Sequence, residues 1–190
     1  MYRRRLRILR GRVRKLVGCD IDPVVTKNTF LDEAHLVVVG EPLPFEDGEF
    51  DVILSDYVFE HVADPLPVVM ELGRVLRPGG WLLARTTNKY GYVGLATKLI
   101  PPALRRSVLR LLNPNAGGAD NFPVTLNMNT LSRIRHLFPS SEFVDYSYCR
   151  RFEGLGYFGR SVFLLRFMRI LMHFIPIRFG PEIIIVLRKL

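Results

Sequence analysis

Residues 16–23, LVGCDIDP, form an apolar run that ends on Asp20 and meets a proline three residues later. Such a run reads as a buried strand delivering a carboxylate to the lip of a sheet, the place where nucleotide-binding α/β folds hold a ribose. A local reading stands beside it, because Asp22 before Pro23 has the type and position of a helix N-cap. A second nucleotide-like pattern lies in GLGYFGR, where Gly154, Gly156 and Gly159 satisfy G-x-G-x-x-G. That pattern requires a parallel strand ending in Asp or Glu about twenty residues on. The strand that follows, EIIIVLRKL, ends in Arg188 and Lys189 instead, so the glycines read as a connection. Cys19 and Cys149 stand far apart, and His35, His61, His136 and His173 are scattered. No metal site and no disulfide framework is implied.

Presenting Asp20 at a lip takes a sheet. Strand candidates are Leu16–Asp20, Leu36–Val39, Phe50–Ser55, Trp81–Thr86, Glu142–Tyr148 and Ile183–Leu187. The first four alternate with helical or loop segments, the rhythm of a mostly parallel α/β sheet. Between the third and fourth, Val68, Leu72, Val75 and Leu76 recur at helical spacing over Pro65 to Arg77. Asp64-Pro65 suits the start of that helix and Pro78-Gly79-Gly80 its end. Asn129 or Thr130 can cap a further helix with Leu131, Ile134, Leu137 and Phe138 facing inward. Two segments fall outside the rhythm. Residues 88–128 contain Pro101-Pro102 and then ALRRSVLRLL, and residues 154–181 are apolar but interrupted by Arg160, Arg166, Arg169 and His173.

The chain's 190 residues fit one domain, and 48% hydrophobic content places it among globular rather than disordered chains. The formal charge of +9 is concentrated at one end. Residues 1–15 hold seven arginines and Lys15 with no acid; taking those eight from the 27 basic residues leaves 19 against 18 acidic ones. The basicity is an arm on a nearly neutral body, read equally as a solvated helix tail or a nucleic-acid arm. The aromatic–basic interleaving of a stacking platform is missing, which argues against nucleic acid as the partner. With no apolar signal core, no uncharged run of the roughly 20 residues needed to span a bilayer, and two unpaired cysteines, the cytoplasm is the expected compartment.

Residues 16–87 contain an ordered set of pieces: VGCDIDP, LPFEDGEFDVILS, FEHV, RVLRPGG and a following strand. The set resembles class I S-adenosylmethionine-dependent methyltransferases, and more narrowly the type 11 group that includes ubiquinone-biosynthesis enzymes. The resemblance implies a Rossmann-like, doubly wound α/β sheet with a reversed last strand, and S-adenosyl-L-methionine as cofactor. It places Asp20 on the two ribose hydroxyls, in a charge-assisted bidentate contact, and Ile21 against the adenine face. Ser55 and Asp56 would border the sulfonium end, with Glu60 and His61 following on a short helix beside the crevice. His61 is the candidate base for an acidic hydroxyl acceptor. In-line displacement at the sulfonium methyl otherwise draws its acceleration from alignment and desolvation, so a base is not required.

The sequence departs from the family in two places. The D-x-G-x-G loop after the first strand is absent, and alignment on Asp20 puts that strand and loop upstream of Met1. An N-terminally truncated sheet is therefore expected. In the family order 3-2-1-4-5-7-6 the missing strand is central, which leaves open edges on both neighbours. Where relatives carry an acid for the adenine amine, this chain has Val39, and Glu41 is the candidate substitute. The expected architecture is one methyltransferase-like domain over 1–190 with lid-type insertions at 88–128 and 154–181. Because both insertions mix apolar residues with arginines, the expected acceptor is a small, lipophilic molecule, with a membrane surface as a further partner. The competing readings are a catalytically inactive scaffold of the same fold and, more weakly, an RNA-binding protein.

Overall fold

A computed structural model describes residues 9–92, 94–95, 123–151 and 162–190. ALRRSVLRLL and GLGYFGR lie outside the described residues. The chain divides into two compact units, residues 1–46 and 47–190.

In the first unit, β1 (Val17–Asp20) and β2 (Glu33–Leu36) pair in parallel, with Val17 opposite Glu33 and Asp20 opposite Leu36. A 3-10 turn over Pro23–Lys27 joins them, its first N–H taken by the Asp22 side chain. Both local readings of the LVGCDIDP run therefore hold at once: Asp20 ends the strand and Asp22 caps the turn. The second strand lies earlier than the expected Leu36–Val39. Asp32 and Glu33 both donate to the Leu16 carbonyl, which sets the register, and pairing stops where β1 stops. Among the described residues Val38 and Val39 have no strand paired with them, and both are exposed, because apolar character alone cannot satisfy backbone groups.

The second unit is built on a five-stranded sheet. Its path runs β3 (Phe50–Asp56), β4 (Leu76–Thr87), β7 (Glu182–Lys189), β5 (Phe143–Asp145), and β6 (Tyr148–Arg150) also pairs with β7. β3 and β4 are parallel, while β7 runs antiparallel to β4 and is the reversed last strand. The expected strand Glu142–Tyr148 is instead split into β5 and β6. The Asp145 carboxylate accepts from the Ser147 N–H at 2.7 Å, a local turn that competes with the ladder. Ser147 then repairs the gap by accepting from Val186 N through its hydroxyl.

Helix α1 (Pro65–Val75) precedes β4, with the Asp64 side chain capping Leu66 N and proline at the first helical position. It ends two residues before the expected Arg77, because Leu76 already pairs with Phe50. Gly79 has φ +76°, and a Cβ on Gly80 would meet the Arg77 and Asp51 carbonyls at 2.9 and 3.0 Å, so the Pro-Gly-Gly bend needs both glycines. Helix α2 (Leu131–Leu137) is capped by Thr130, whose hydroxyl accepts from Arg133 N. The core forms where α1 and α2 cover one face of the sheet. Leu82, Ile134, Phe138, Ile183, Ile185 and Leu187 are buried there, and Phe138 meets Phe143 edge-on at 5.2 Å. Helix α3 (Val162–Phe174) precedes β7 in the chain.

Among the described residues β1 pairs only with β2, and β3 only with β4, so each has one unpaired edge. On β3, Val52 and Leu54 are also exposed.

Candidate functional site

In the first unit Asp20 is the last residue of β1. One carboxylate oxygen accepts from Asp22 N at 3.0 Å, which orients the group and leaves the other oxygen uncommitted among the described residues. Ile21 follows it and is exposed. Val37 N donates to the Asp20 carbonyl, so the chain leaving β2 runs beside the end of β1. Glu41 comes next, beyond a turn at Gly40 with φ +88°, and its side chain is exposed. An oriented carboxylate followed by an exposed isoleucine suits a ribose and an apolar ring face.

In the second unit the other expected residues cluster at the carboxyl end of β3, though their side chains have different occupations. Ser55 is half-buried within β3. Asp56 is held in a bidentate pair by Arg85, at 2.7 and 2.9 Å. The hydrogen bond to Asp56 raises the Arg85 pKa further above its ordinary value, and the guanidinium also lies over the Tyr57 ring at 4.6 Å. Tyr57 itself has φ +57° and directs its hydroxyl to Glu182, which Arg150 also holds. Glu60 is 5% exposed. Its carboxylate accepts from Thr86 Oγ1 at 2.7 Å and Thr87 Oγ1 at 3.3 Å, while its carbonyl accepts from Thr125 N at 2.8 Å. His61 sets Nδ1 at 3.1 Å from the Pro123 carbonyl. A neutral His61 donating from Nδ1 carries its lone pair on Nε2, the form a general base needs.

No site role was legible in the sequence for Thr86, Asn88 or Asn129, the last of which is a candidate helix cap by sequence, a place that Thr130 takes in the structure. Thr86 Oγ1 donates to Glu60 and accepts from Asn129 Nδ2 at 2.7 Å, and the same amide donates to the Thr87 carbonyl. Asn129 Oδ1 is buried without a partner among the described residues. Asn88 donates to the carbonyls of Gly180 and Arg178 and ties the end of β4 to the start of β7. The available signal was the polar run TTN closing an apolar strand, since polar side chains buried at a strand end must find partners. Beyond this network lies a cavity of about 620 Å³ bordered by Ala63, Pro65, Lys89, Asn129 and Arg133. Among the described residues no cluster of side chains could hold a metal ion.

This sheet order, with parallel strands ending in polar groups and a reversed final strand, is that of a Rossmann-like α/β fold. Residues 3–84 match the family model described as "Methyltransferase domain". Over 55 residues the chain is 56% identical to an "Uncharacterized methyltransferase" of Mycobacterium sp. (strain JLS), covering 29% of this chain and 22% of that protein. Over 42 residues it is 45% identical to the "Ubiquinone biosynthesis O-methyltransferase" of Thiobacillus denitrificans, covering 22% of this chain and 18% of that one. The matched stretches thus span under a quarter of these two relatives' lengths. A crystal structure titled as a SAM-dependent methyltransferase, possible histamine N-methyltransferase, from Thermotoga maritima shares the fold with TM-score 0.56. Its identity is 14%, covering 92% of this chain and 73% of that one. Over residues 3–84 the chain is thus similar to methyltransferase domains, and over 92% of its length it shares the fold of a methyltransferase structure.

Proposed function

We propose that this chain carries out methyl transfer from S-adenosylmethionine to a small-molecule acceptor. The observation that carries this reading is the oriented carboxylate of Asp20, fixed by Asp22 N on one oxygen with the other open at the end of a parallel strand. When bound, S-adenosylmethionine supplies an electrophilic methyl group. Asp20 would accept from the ribose hydroxyls, Ile21 would cover an adenine face, and Glu41 would take the adenine amine. Glu60 acts as a positioning residue, since its carboxylate is spent on Thr86 and Thr87. His61, with Nδ1 turned to Pro123, would receive the acceptor's proton at Nε2.

One feature supports a lipophilic acceptor met at a membrane surface. On α3, Phe163, Phe167, Ile170 and Phe174 recur at helical spacing and are 79, 52, 63 and 78% exposed, with Arg166 and Arg169 exposed beside them. An apolar stripe flanked by arginines suits a helix lying in the interface, and no helix among the described residues is long and apolar enough to cross a membrane.

Calorimetric titration of S-adenosylmethionine tests the cofactor assignment, using the chain as it stands and the chain extended by a strand and D-x-G-x-G loop. The extended form should bind more tightly, and Asp20→Ala should weaken its binding by about 1–3 kcal/mol, the worth of a hydrogen bond to a charged group. Binding that Asp20→Ala leaves unchanged would overturn the assignment.

A further inference from the structure

The cavity beside the Glu60–Thr86–Asn129 network has a charge character that methyl transfer does not explain. Lys89 follows the end of β4, and Arg133 and His136 project from α2 at i and i+3. All three line the cavity, and no carboxylate does among its described lining residues. Asp64 adjoins the lining residues Ala63 and Pro65, but its carboxylate is turned to the Leu66 N–H as the α1 cap. Neither Lys89 nor Arg133 has an ion-pair or side-chain hydrogen-bond partner among the described residues.

Several other arginines of this protein are paired. Arg85 holds Asp56, Arg74 holds Asp47 and Glu71, Arg135 holds Asp145 and Arg150 holds Glu182. The contrast sets the cavity apart. Two unpaired cations and a histidine facing one concave space raise the local concentration of anions. The volume of about 620 Å³ is that of a small-molecule site. The floor is rigid, because the Asn129 amide is fixed by Thr86 Oγ1 and the Thr87 carbonyl, and the Asn129 carbonyl accepts from Lys89 N at 2.8 Å. Ser132 adds a hydroxyl to the same lining.

We propose that the cavity bounded by Lys89, Asn129, Arg133 and His136 binds the anionic group, carboxylate or phosphate, of a small molecule. As the subsite for an acidic methyl acceptor it rests on the methyl-transfer reading, since it is Thr86 that links Asn129 to Glu60 beside His61. As an anion site it stands without that reading.

The test is a residue-resolved NMR titration of the full chain with inorganic phosphate, and separately with acetate, at constant ionic strength set by chloride and with no cofactor added. Saturable shifts are expected at the amides of Lys89 and of Asn129 through Arg133. The double substitution Lys89→Gln/Arg133→Gln should weaken them roughly tenfold or more, as the loss of charge-assisted hydrogen bonds requires. Saturation by phosphate alone assigns a phosphate ligand, and saturation by both assigns the wider carboxylate class. Should the double variant fold poorly, Ser132→Asp, at an exposed helix position, must weaken binding by placing a carboxylate in the cavity. Shifts that never saturate, that are confined to the arginine-rich residues 9–15, or that survive these substitutions would overturn the proposal. A chain that binds phosphate here yet shows no Asp20-dependent cofactor binding would refute the methyl-transfer reading alone.

Discussion

Glu60 offers the sharpest separation between a structural carboxylate and a ligand-binding one. In Glu60→Ala the Thr86 hydroxyl loses its acceptor in a place where both residues are buried, and Thr87 loses a longer contact. Stranding a buried donor costs about 1–3 kcal/mol, and a bond to a charged acceptor is worth about 1.5–3 kcal/mol, so a loss of about 2–4 kcal/mol is expected. For a chain of this size that is a drop of roughly 5–15 °C in melting temperature. Glu60→Gln keeps a carbonyl oxygen for Thr86 and turns an amide donor toward the Thr87 hydroxyl oxygen, while removing a charge from the interior. It should stay within about 1 kcal/mol of the parent, in either direction. Urea unfolding followed by circular dichroism measures both, with equal m-values confirming that the unfolded states match. If Glu60→Ala unfolds at the parent's midpoint, the carboxylate is not a structural tie and is available for a ligand. If Glu60→Gln falls as far as Glu60→Ala, the charge and not the hydrogen-bond geometry holds the network.

Two further outcomes follow from the surface and the pH response. Burial works to raise the Asp145 carboxyl, but hydrogen bonds from Ser147 and Arg135 outweigh it and hold the pKa below the ordinary carboxylate value. A depressed pKa stabilises the fold above the unfolded value and loses that contribution as pH falls through the folded one, below about pH 4. Asp145→Asn should therefore lower stability at neutral pH and flatten its loss on acidification, as read by thermal melts across that range. On α3, the parent should co-sediment with anionic liposomes at low salt and Arg166→Glu/Arg169→Glu should not; a parent that stays in the supernatant would end the case for a membrane-facing helix.

Much of this fold was legible because local and global signals agree. Asp64-Pro65 and Thr130 mark helix starts that the structure reproduces, since capping is decided within a few residues. The alternation of Ile183, Ile185 and Leu187 marks a buried strand face for the same reason. The readings that shifted depend on partners distant in sequence. Val38 and Val39 are as apolar as any strand, but β1 ends at Asp20 and offers them no backbone. Asp145 breaks its strand through a side chain, which hydrophobic pattern does not record. The least visible feature was the Glu60–Thr86–Asn129 chain, with members 26 and 43 residues apart. Each is an ordinary polar residue until the sheet brings them together. The lining of the cavity was invisible for the same reason, because Lys89 and Arg133 belong to elements 44 residues apart in sequence.

The two ends of the second unit's sheet are unequal, and the inequality locates its chemistry. β3 and β4 run in parallel and release Asp56 and Asn88 at the same end, while the reversed β7 begins there with Glu182 opposite Thr87. That end collects Asp56 with Arg85, Tyr57 and Arg150 with Glu182, and Glu60 with Thr86 and Asn129. At the other end Lys189 donates to the carbonyls of Gly73 and Leu76, closing the last turn of α1. Those bonds serve the Gly73 carbonyl in the last turn of α1 and the Leu76 carbonyl at the start of β4, and a helix end needs such partners. The carboxyl end, by contrast, buries a carboxylate and leaves an asparagine oxygen without a donor among the described residues. Buried polar groups are costly unless fully paired, so their concentration at one end is hard to account for by stability alone. Ligands bind parallel α/β sheets outside the carboxyl ends of the strands. The unpaired cations of the neighbouring cavity lie at that end too, where Lys89 leaves β4. A sheet held together for folding alone would distribute such groups evenly or omit them, and the asymmetry is what a binding end, built on one side of an otherwise apolar scaffold, requires.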